Sequence, residues 1–422
     1  MMKKNEIISC IKANKKITDY ELTIQDKNSR ELFYVLDHLE INRAVKTKTV
    51  KIEVYVADKK TVGSSTVTVT AADDGKSLAS KLNKAVTKAK QARNAYYPLP
   101  EKTENIKDKK NVKRDLNDIA GKVAKAVFKA DVYKNGWINS TEIFVSEFTD
   151  EFISSKGISH TAQSFKIEVE CIPTWSNKKE EFELYKFYES NKPDYRQITA
   201  EIDDILKLAK DRSNAKTLKE VDLPKDLIVL VKNDMLEVIT DSISSQLSYA
   251  SVFMHENHYS KNDTISDTAF DLTMKPVVPG CTGSKKYDRN GIVLKPKKIV
   301  SKGKAIAYFG DQRFGSYLKE EKISGSLPVC EVKADGVSYK KEKHLIIETF
   351  SSPQMEEDSG YWGGEVRLAR YYDGKKYIPL TGFSIAGNIY ENMKDVQFSE
   401  ETSVLKNYKG PKYFIFRNIK IS

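Results

Sequence analysis

The sequence predicts an α+β protein in two parts: an N-terminal half with an antiparallel sheet and amphipathic helices, and a β-rich C-terminal half. Three observations predict this. Several stretches of the first half place apolar residues at helical spacing, others alternate apolar and polar residues at strand spacing, and beyond Pro224 the helical pattern thins while turn dipeptides appear. At 422 residues the chain is too long for one ordinary core, and the change of pattern divides it into domains 1–222 and 223–422.

In chain order, Ile7, Ile8 and Ile11 form an apolar stripe behind an Asn5 cap and predict an opening helix. Val50, Ile52, Val54 and Val56 alternate with Lys51, Glu53 and Tyr55 as in a half-buried antiparallel strand, and Val67 and Val69 continue the sheet. Leu78, Leu82, Ala85, Val86 and Ala89 share one face of a helix with Asp73 and Asp74 at its start and Lys90 and Arg93 near its end, the order the helix dipole favours. After Asp115, Leu116, Ile119, Ala120, Val123 and Val127 mark a second amphipathic helix. Glu142 to Ile153 and Phe165 to Ile172 read as strands, and Ile198, Ile202, Ile205, Leu206 and Ala209 as another helix. Helix, antiparallel strands, helix, stated twice, suggests a duplicated module. In the second half Leu227 to Val231 has the length of a buried strand and Met235 to Leu247 reads as a helix. Asn290-Gly291 and Asp373-Gly374 read as hairpin turns, since each tolerates positive φ. His344 to Phe350, Gly364 to Tyr372 and Tyr413 to Ile421 are further strands, in a barrel or a packed pair of sheets.

Composition narrows the function. Met1 to Lys16 holds no apolar stretch of signal-peptide length, and the longest aliphatic run is far short of a membrane span, so a soluble cytoplasmic protein without membrane contact is expected. Cys10, Cys171, Cys281 and Cys330 lie far apart, which suggests buried thiols rather than a disulfide framework. The net charge of +11 (70 basic minus 59 acidic residues) is spread among acids. Its densest basic stretch, Lys107 to Arg114, reads as a solvated linker entering a helix, and with no nucleic-acid-binding signature beside it the charge argues only weakly for nucleic acid. Neither a G-x-S-x-G elbow, a P-loop nor a dinucleotide turn is present. The acidic run Glu356, Glu357, Asp358 reads as a solvated loop. His255-Glu256-Asn257-His258 is one residue short of an H-E-x-x-H zinc motif; its polar flanks predict a loop, and a third ligand would have to come from Asp267, Asp271 or His344. Glycines 360, 363, 364, 382 and 387 permit a bulge or a close backbone approach, such as an extended peptide laid against a sheet edge; ordinary turn duty is the commoner use of such glycines.

Ser359 to Asn388 (SGYWGGEVRLARYYDGKKYIPLTGFSIAGN) resembles the C-terminal signature of the TldD/PmbA family. Val278 to Gly291 is similar to that family's "D-x-x-G" turn, Ile299 to Phe309 to its glycine-centred strand pair, and Gly63 to Ala92 more weakly to its first strand and helix. The TldD branch consists of zinc peptidases with an H-E-x-x-x-H helix and a later Cys. By family order that helix falls at Met235 to Asp241, where no His occurs, and no Cys follows Cys330. The resemblance therefore implies a TldE/PmbA-like chain with no catalytic residues and no cofactor of its own. Such a chain would pair with a TldD-like zinc-bearing subunit, or with itself, and would help hold unfolded peptides for proteolysis or maturation. Gly363, Gly364, Glu365, Gly382, Gly387 and Asn388 are its candidate peptide or partner contacts, with His255 and His258 the alternative metal ligands. A modulator of DNA gyrase, or a homodimeric scaffold, is the rival reading.

Overall fold

The four helical stripes of the first half fold as their spacing dictates. This computed structural model describes residues 2–108 and 114–422, so the basic stretch 109–113 lies outside the described residues. Helix α1 (Lys4–Ala13) buries Ile7 and Ile11, and its N-cap is Lys3 rather than Asn5. Glu6 turns back to accept from the Lys3 N–H at 2.8 Å and so fixes the start two residues early. Helix α2 (Gly75–Gln91) is capped by Asp74 and buries Leu78, Leu82, Ala85, Val86 and Ala89. Helix α3 (Leu116–Phe128) is capped by Asp115, and α4 (Tyr195–Ser213) buries Ile198, Ile202, Ile205, Leu206 and Ala209.

Between these helices run β1 (Asp19–Val35), β2 (His38–Ala57), β3 (Thr61–Val69), β4 (Arg93–Ala95), β5 (Gly136–Ser154), β6 (Ser159–Ser176), β7 (Glu181–Glu183) and β8 (Lys186–Ser190). Among the described residues they make one eight-stranded antiparallel sheet in the order β4-β3-β2-β1-β5-β6-β7, with β8 also on β6. Strands β1 and β5, the first of each helix–strands–helix run, pair along Glu21 to Val35 at the centre. Leu22, Ile24 and Leu32 alternate on one face of β1 and reach both helical cores, so all four helices cover the same face. The opposite face carries Glu21, Tyr55 and Phe152 and packs on the second half.

The second half contains β9 (Ile228–Val231), α5 (Asp234–Gln246), α6 (Tyr249–Met254), β10 (Phe270–Lys275), β11 (Lys297–Ser301), β12 (Lys304–Ala305), α7 (Gln312–Tyr317), β13 (Val329–Ala334), β14 (His344–Glu356), β15 (Tyr361–Tyr372), β16 (Tyr377–Leu380), β17 (Phe383–Asn388), α8 (Ile389–Asn392), β18 (Gln397–Phe398), β19 (Thr402–Val404), β20 (Tyr408–Pro411), β21 (Phe414–Phe416) and β22 (Lys420–Ile421). They form two sheets, β12-β11-β10-β13-β20-β19 and β18-β21-β9-β14-β15-β17-β22, the latter with β16 on β15. Their shared core includes Leu236, Ile239, Leu272, Trp362 and Phe416. Inside it Glu348 of β14, 4% exposed, is paired with Lys232 and Arg370.

Two strand predictions need correction. Tyr413 to Ile421 is not one strand: Asn418 at φ 58° breaks it into β21 and β22, which join different neighbours. Asn290-Gly291 does not link two strands. It closes a turn in which the buried Asp288 carboxylate accepts from the N–H groups of Asn290 (3.0 Å), Ile292 (2.9 Å) and Ser326 (3.2 Å). That turn is held from the first sheet: Asn290 donates to Glu21 at 3.3 Å, and the Gly291 carbonyl lies 2.9 Å from His160 Nε2. Since His160 Nδ1 accepts from the Ile106 N–H (3.0 Å), Nε2 carries the proton and donates to Gly291. No helix among the described residues is long and apolar enough to cross a membrane.

Candidate functional site

Helix α5 follows the buried strand β9 and buries Met235, Leu236, Ile239 and Ile243. Four-residue spacing puts Glu237 and Asp241 on one side of it, Glu237 toward the segment before β20 and Asp241 toward Cys330. Glu237 accepts from the backbone N–H of Asn407, just before β20. Burial, with Asp234, Asp241 and Glu189 of β8 adding negative charge, pushes the Glu237 carboxyl up to about 7 against the opposing pull of that N–H. Asp241 keeps an exposed side chain but is crowded by protein; partial desolvation, then the neighbouring Glu357, raises it to about 6.

Three other segments close on this helix. Cys330 of β13 points its thiol at the Thr240 carbonyl (4.0 Å), Asp241 Oδ1 (4.0 Å) and Ser244 Oγ (3.9 Å), and burial pushes it up to about 12, so it stays a neutral thiol. Cys281 donates to the Tyr408 carbonyl at 3.5 Å, while Asn191, at the edge of the first sheet, donates to the Cys281 carbonyl at 3.4 Å. Glu357 accepts from Ser245 Oγ at 2.7 Å. The acidic run at 356–358 is therefore not a purely solvated loop, because one of its carboxylates is fastened to the end of α5. Thr240 and Ser244 donate to carbonyls of their own helix, at 2.7 and 3.1 Å, and are not free nucleophiles. This side of α5 thus carries carboxyl groups poised near neutrality, able both to donate and to accept hydrogen bonds.

The glycine-rich candidates lie elsewhere, and those on β15 do not face a sheet edge. Strand β15 runs between β14 and β17, with Gly364 opposite Pro353 on one side and Ile385 on the other, so Gly363 and Gly364 sit inside the paired sheet. A Cβ on Gly363 would come 2.1 Å from the Ile385 carbonyl oxygen; close strand packing accounts for the residue. Gly387 leaves room for Trp362, whose indole N–H donates to Asn392 at 2.9 Å. Asn388 caps α8 by accepting from the Tyr390 N–H at 3.0 Å and ties it to the Ser359 carbonyl at 2.8 Å. Gly382 occupies an open turn and Glu365 is exposed on β15.

His255 is the left-handed cap of α6, and His258 stacks on Tyr390 with ring centroids 3.7 Å apart. Two of the three suggested third ligands are engaged elsewhere: both ring nitrogens of His344 face the Glu342 carbonyl (2.7 Å) and Tyr377 (3.2 Å), and Asp271 pairs with Lys298 at 2.5 Å. Among the described residues no group of three His, Cys, Asp or Glu side chains is placed to hold a metal ion.

Residues 224–422 match the family described as the PmbA/TldA metallopeptidase C-terminal domain, and this part of the chain belongs to that family. Similar solved structures span its whole length. TldE from Thermococcus kodakarensis shares 14% identity at a TM-score of 0.79, covering 99% of this chain and 100% of its own. A candidate modulator of a DNA gyrase from Thermotoga maritima shares 12% at 0.79, covering 99% of each chain. A candidate modulator of DNA gyrase from Bacteroides thetaiotaomicron shares 14% at 0.77, covering 99% and 98%. At these identities the likeness speaks for the fold. No curated protein matches the sequence.

The metallopeptidase description raises the question of zinc. The donors on and around α5 do not fit it: two carboxyls held toward their protonated forms, one thiol held neutral, and no imidazole.

Proposed function

We propose that this chain is a non-catalytic, TldE/PmbA-like subunit that pairs with a zinc-bearing TldD-like relative and holds unfolded peptides while that relative cleaves them. The observation that carries this reading is the chemistry of α5. Where a peptidase needs imidazoles and an ionised ligand set, this helix carries Glu237 and Asp241, at about 7 and about 6. Carboxyls so poised suit hydrogen bonding to peptide amides and attraction of basic side chains. The likeness to a TldE over the full chain length supports the same branch.

Peptidase assays on unfolded protein test it. The purified chain should be inactive alone and should support cleavage once a zinc-bearing relative is added; chelator-sensitive activity from this chain by itself would overturn the proposal. A second reading, a DNA- or gyrase-associated modulator, draws on the description of two similar structures and on the net charge of +11. It requires DNA binding that weakens steeply with salt, and no binding at low salt would remove it.

A further inference from the structure

Arginine is scarce in this chain, 11 of its 70 basic residues, and Arg43, Arg93, Arg114, Arg289, Arg370 and Arg417 each meet a carboxylate. Arg212 and Arg367 do not, although both converge on β7. Arg212, in the last turn of α4, lies over the Phe182 ring of β7, its guanidinium carbon 5.5 Å from the centroid. Arg367 comes from β15 in the other half and donates to the carbonyl of the next β7 residue, Glu183, at 2.9 Å. Lys210 sits 5.8 Å over Trp175, the residue that faces Phe182 across the β6–β7 pair. Among the described residues none of these three cations is paired with a carboxylate. The glutamates on either side of Phe182 point to the opposite face by strand alternation, and there Glu183 accepts from Asn139 at 2.9 Å. Burial, then the neighbouring Arg367, pulls the Arg212 guanidinium below its usual value.

A helix C-terminus attracts cations, which accounts for Lys210 and Arg212 on α4 but not for a second guanidinium brought against the first from another element. Two planar forks side by side are what gripping an oxyanion by paired N–H groups requires. The platform is rigid before any ligand arrives. Trp175, Ile205, Ala209 and Leu368 share one buried cluster that fixes β6, α4 and β15 against each other. Asn177 donates to the Ser213 carbonyl at 3.3 Å and ties the β6–β7 turn to the end of α4. We infer that Lys210, Arg212 and Arg367 form a binding site for a phosphate group, free or carried as a monoester. Its nearly double negative charge and its several acceptor oxygens offset three converging cations, whereas a carboxylate brings a single charge and two oxygens. The site uses no residue of α5, so the inference does not rest on the proposed function.

Calorimetric titration of the full chain with inorganic phosphate and, separately, with a short phosphoserine peptide tests it. One site per chain should bind, with sulfate competing and acetate competing poorly. Tighter binding of the peptide than of the free ion assigns the site to a phosphorylated side chain, and equal binding assigns it to a free phosphate. The indole emission should shift as the site fills, and Trp175→Phe should lose that shift while keeping the heat. Arg212→Gln and Arg367→Gln should each weaken phosphate binding at least about tenfold, and Arg212→Lys should not restore it, because an ammonium lacks the fork. Unchanged urea unfolding shows that the variants are folded. Arg367 is exposed on β15, so its variant keeps the test decisive even where replacing Arg212 disturbs α4. No binding of either probe at millimolar concentration, binding unchanged in Arg367→Gln, or Arg212→Lys binding as tightly as the parent would each overturn the inference.

Discussion

Replacing Glu237 by Gln should alter how stability responds to pH, by an amount the site fixes. The carboxyl stands at about 7 in the folded chain against 4.5 for an ordinary glutamate. At about 1.4 kcal/mol for each tenfold change in proton affinity, that gap corresponds to about 3 kcal/mol, and to about 2 once partial contact with water is allowed for. The folded state holds this proton more tightly than the unfolded chain does. The contribution is therefore whole below pH 4.5, is lost as pH rises toward 7, and stays lost above. Gln keeps the shape and the acceptor for the Asn407 N–H but carries no charge. Near pH 4.5 the variant should match the parent or fall slightly below it, and by about pH 8 it should be more stable by about 2 to 3 kcal/mol. Urea unfolding of both proteins across this range reads the difference directly, since other titrating groups are common to both. A difference that stays flat from pH 4.5 to 8 would refute the account of a desolvated carboxyl on α5.

Two further outcomes follow from the core. Gly363→Ala, which sets a methyl against the Ile385 carbonyl at φ 150°, should cost about 3 kcal/mol or more, and an unchanged melting temperature would contradict the packing described for β15. Glu348→Gln should cost about 3 to 5 kcal/mol by stranding Lys232 and Arg370. The two cations hold the Glu348 carboxyl below its usual range despite burial, so its contribution is present above the ordinary glutamate value and is lost as pH falls through the folded value; in acid titrations the variant should lack that part of the decline.

The helices of the first half were legible because each writes its buried face in its own spacing: the apolar residues read for α2 and α4 are those the fold buries. The outer part of β2 was not legible, since both its faces are exposed and its sequence has no alternation to betray a strand. Whether a glycine lies at an edge or inside a sheet depends on which distant strands flank it, so the sequence leaves the position of Gly363 and Gly364 open and the pairing of β15 decides it. The i, i+4 pair Glu237 and Asp241 could have been noticed on the predicted helix. What raises their proton affinity is burial by the surrounding chain and the charges of residues 189 and 357, far away in sequence, and no local pattern announces it.

The turn at 288–291 bears on how a long substrate could enter. It is gripped by Glu21 and by His160, one on each side of the Asn290–Gly291 bond, while Gln312 reaches Pro98 (2.9 Å) and Tyr317 reaches Ala95 (2.7 Å) nearby. Bolted at several points, the two halves of the polypeptide do not gape like a clam shell. A protease nick in the connector after α4 would leave the two pieces clasped together.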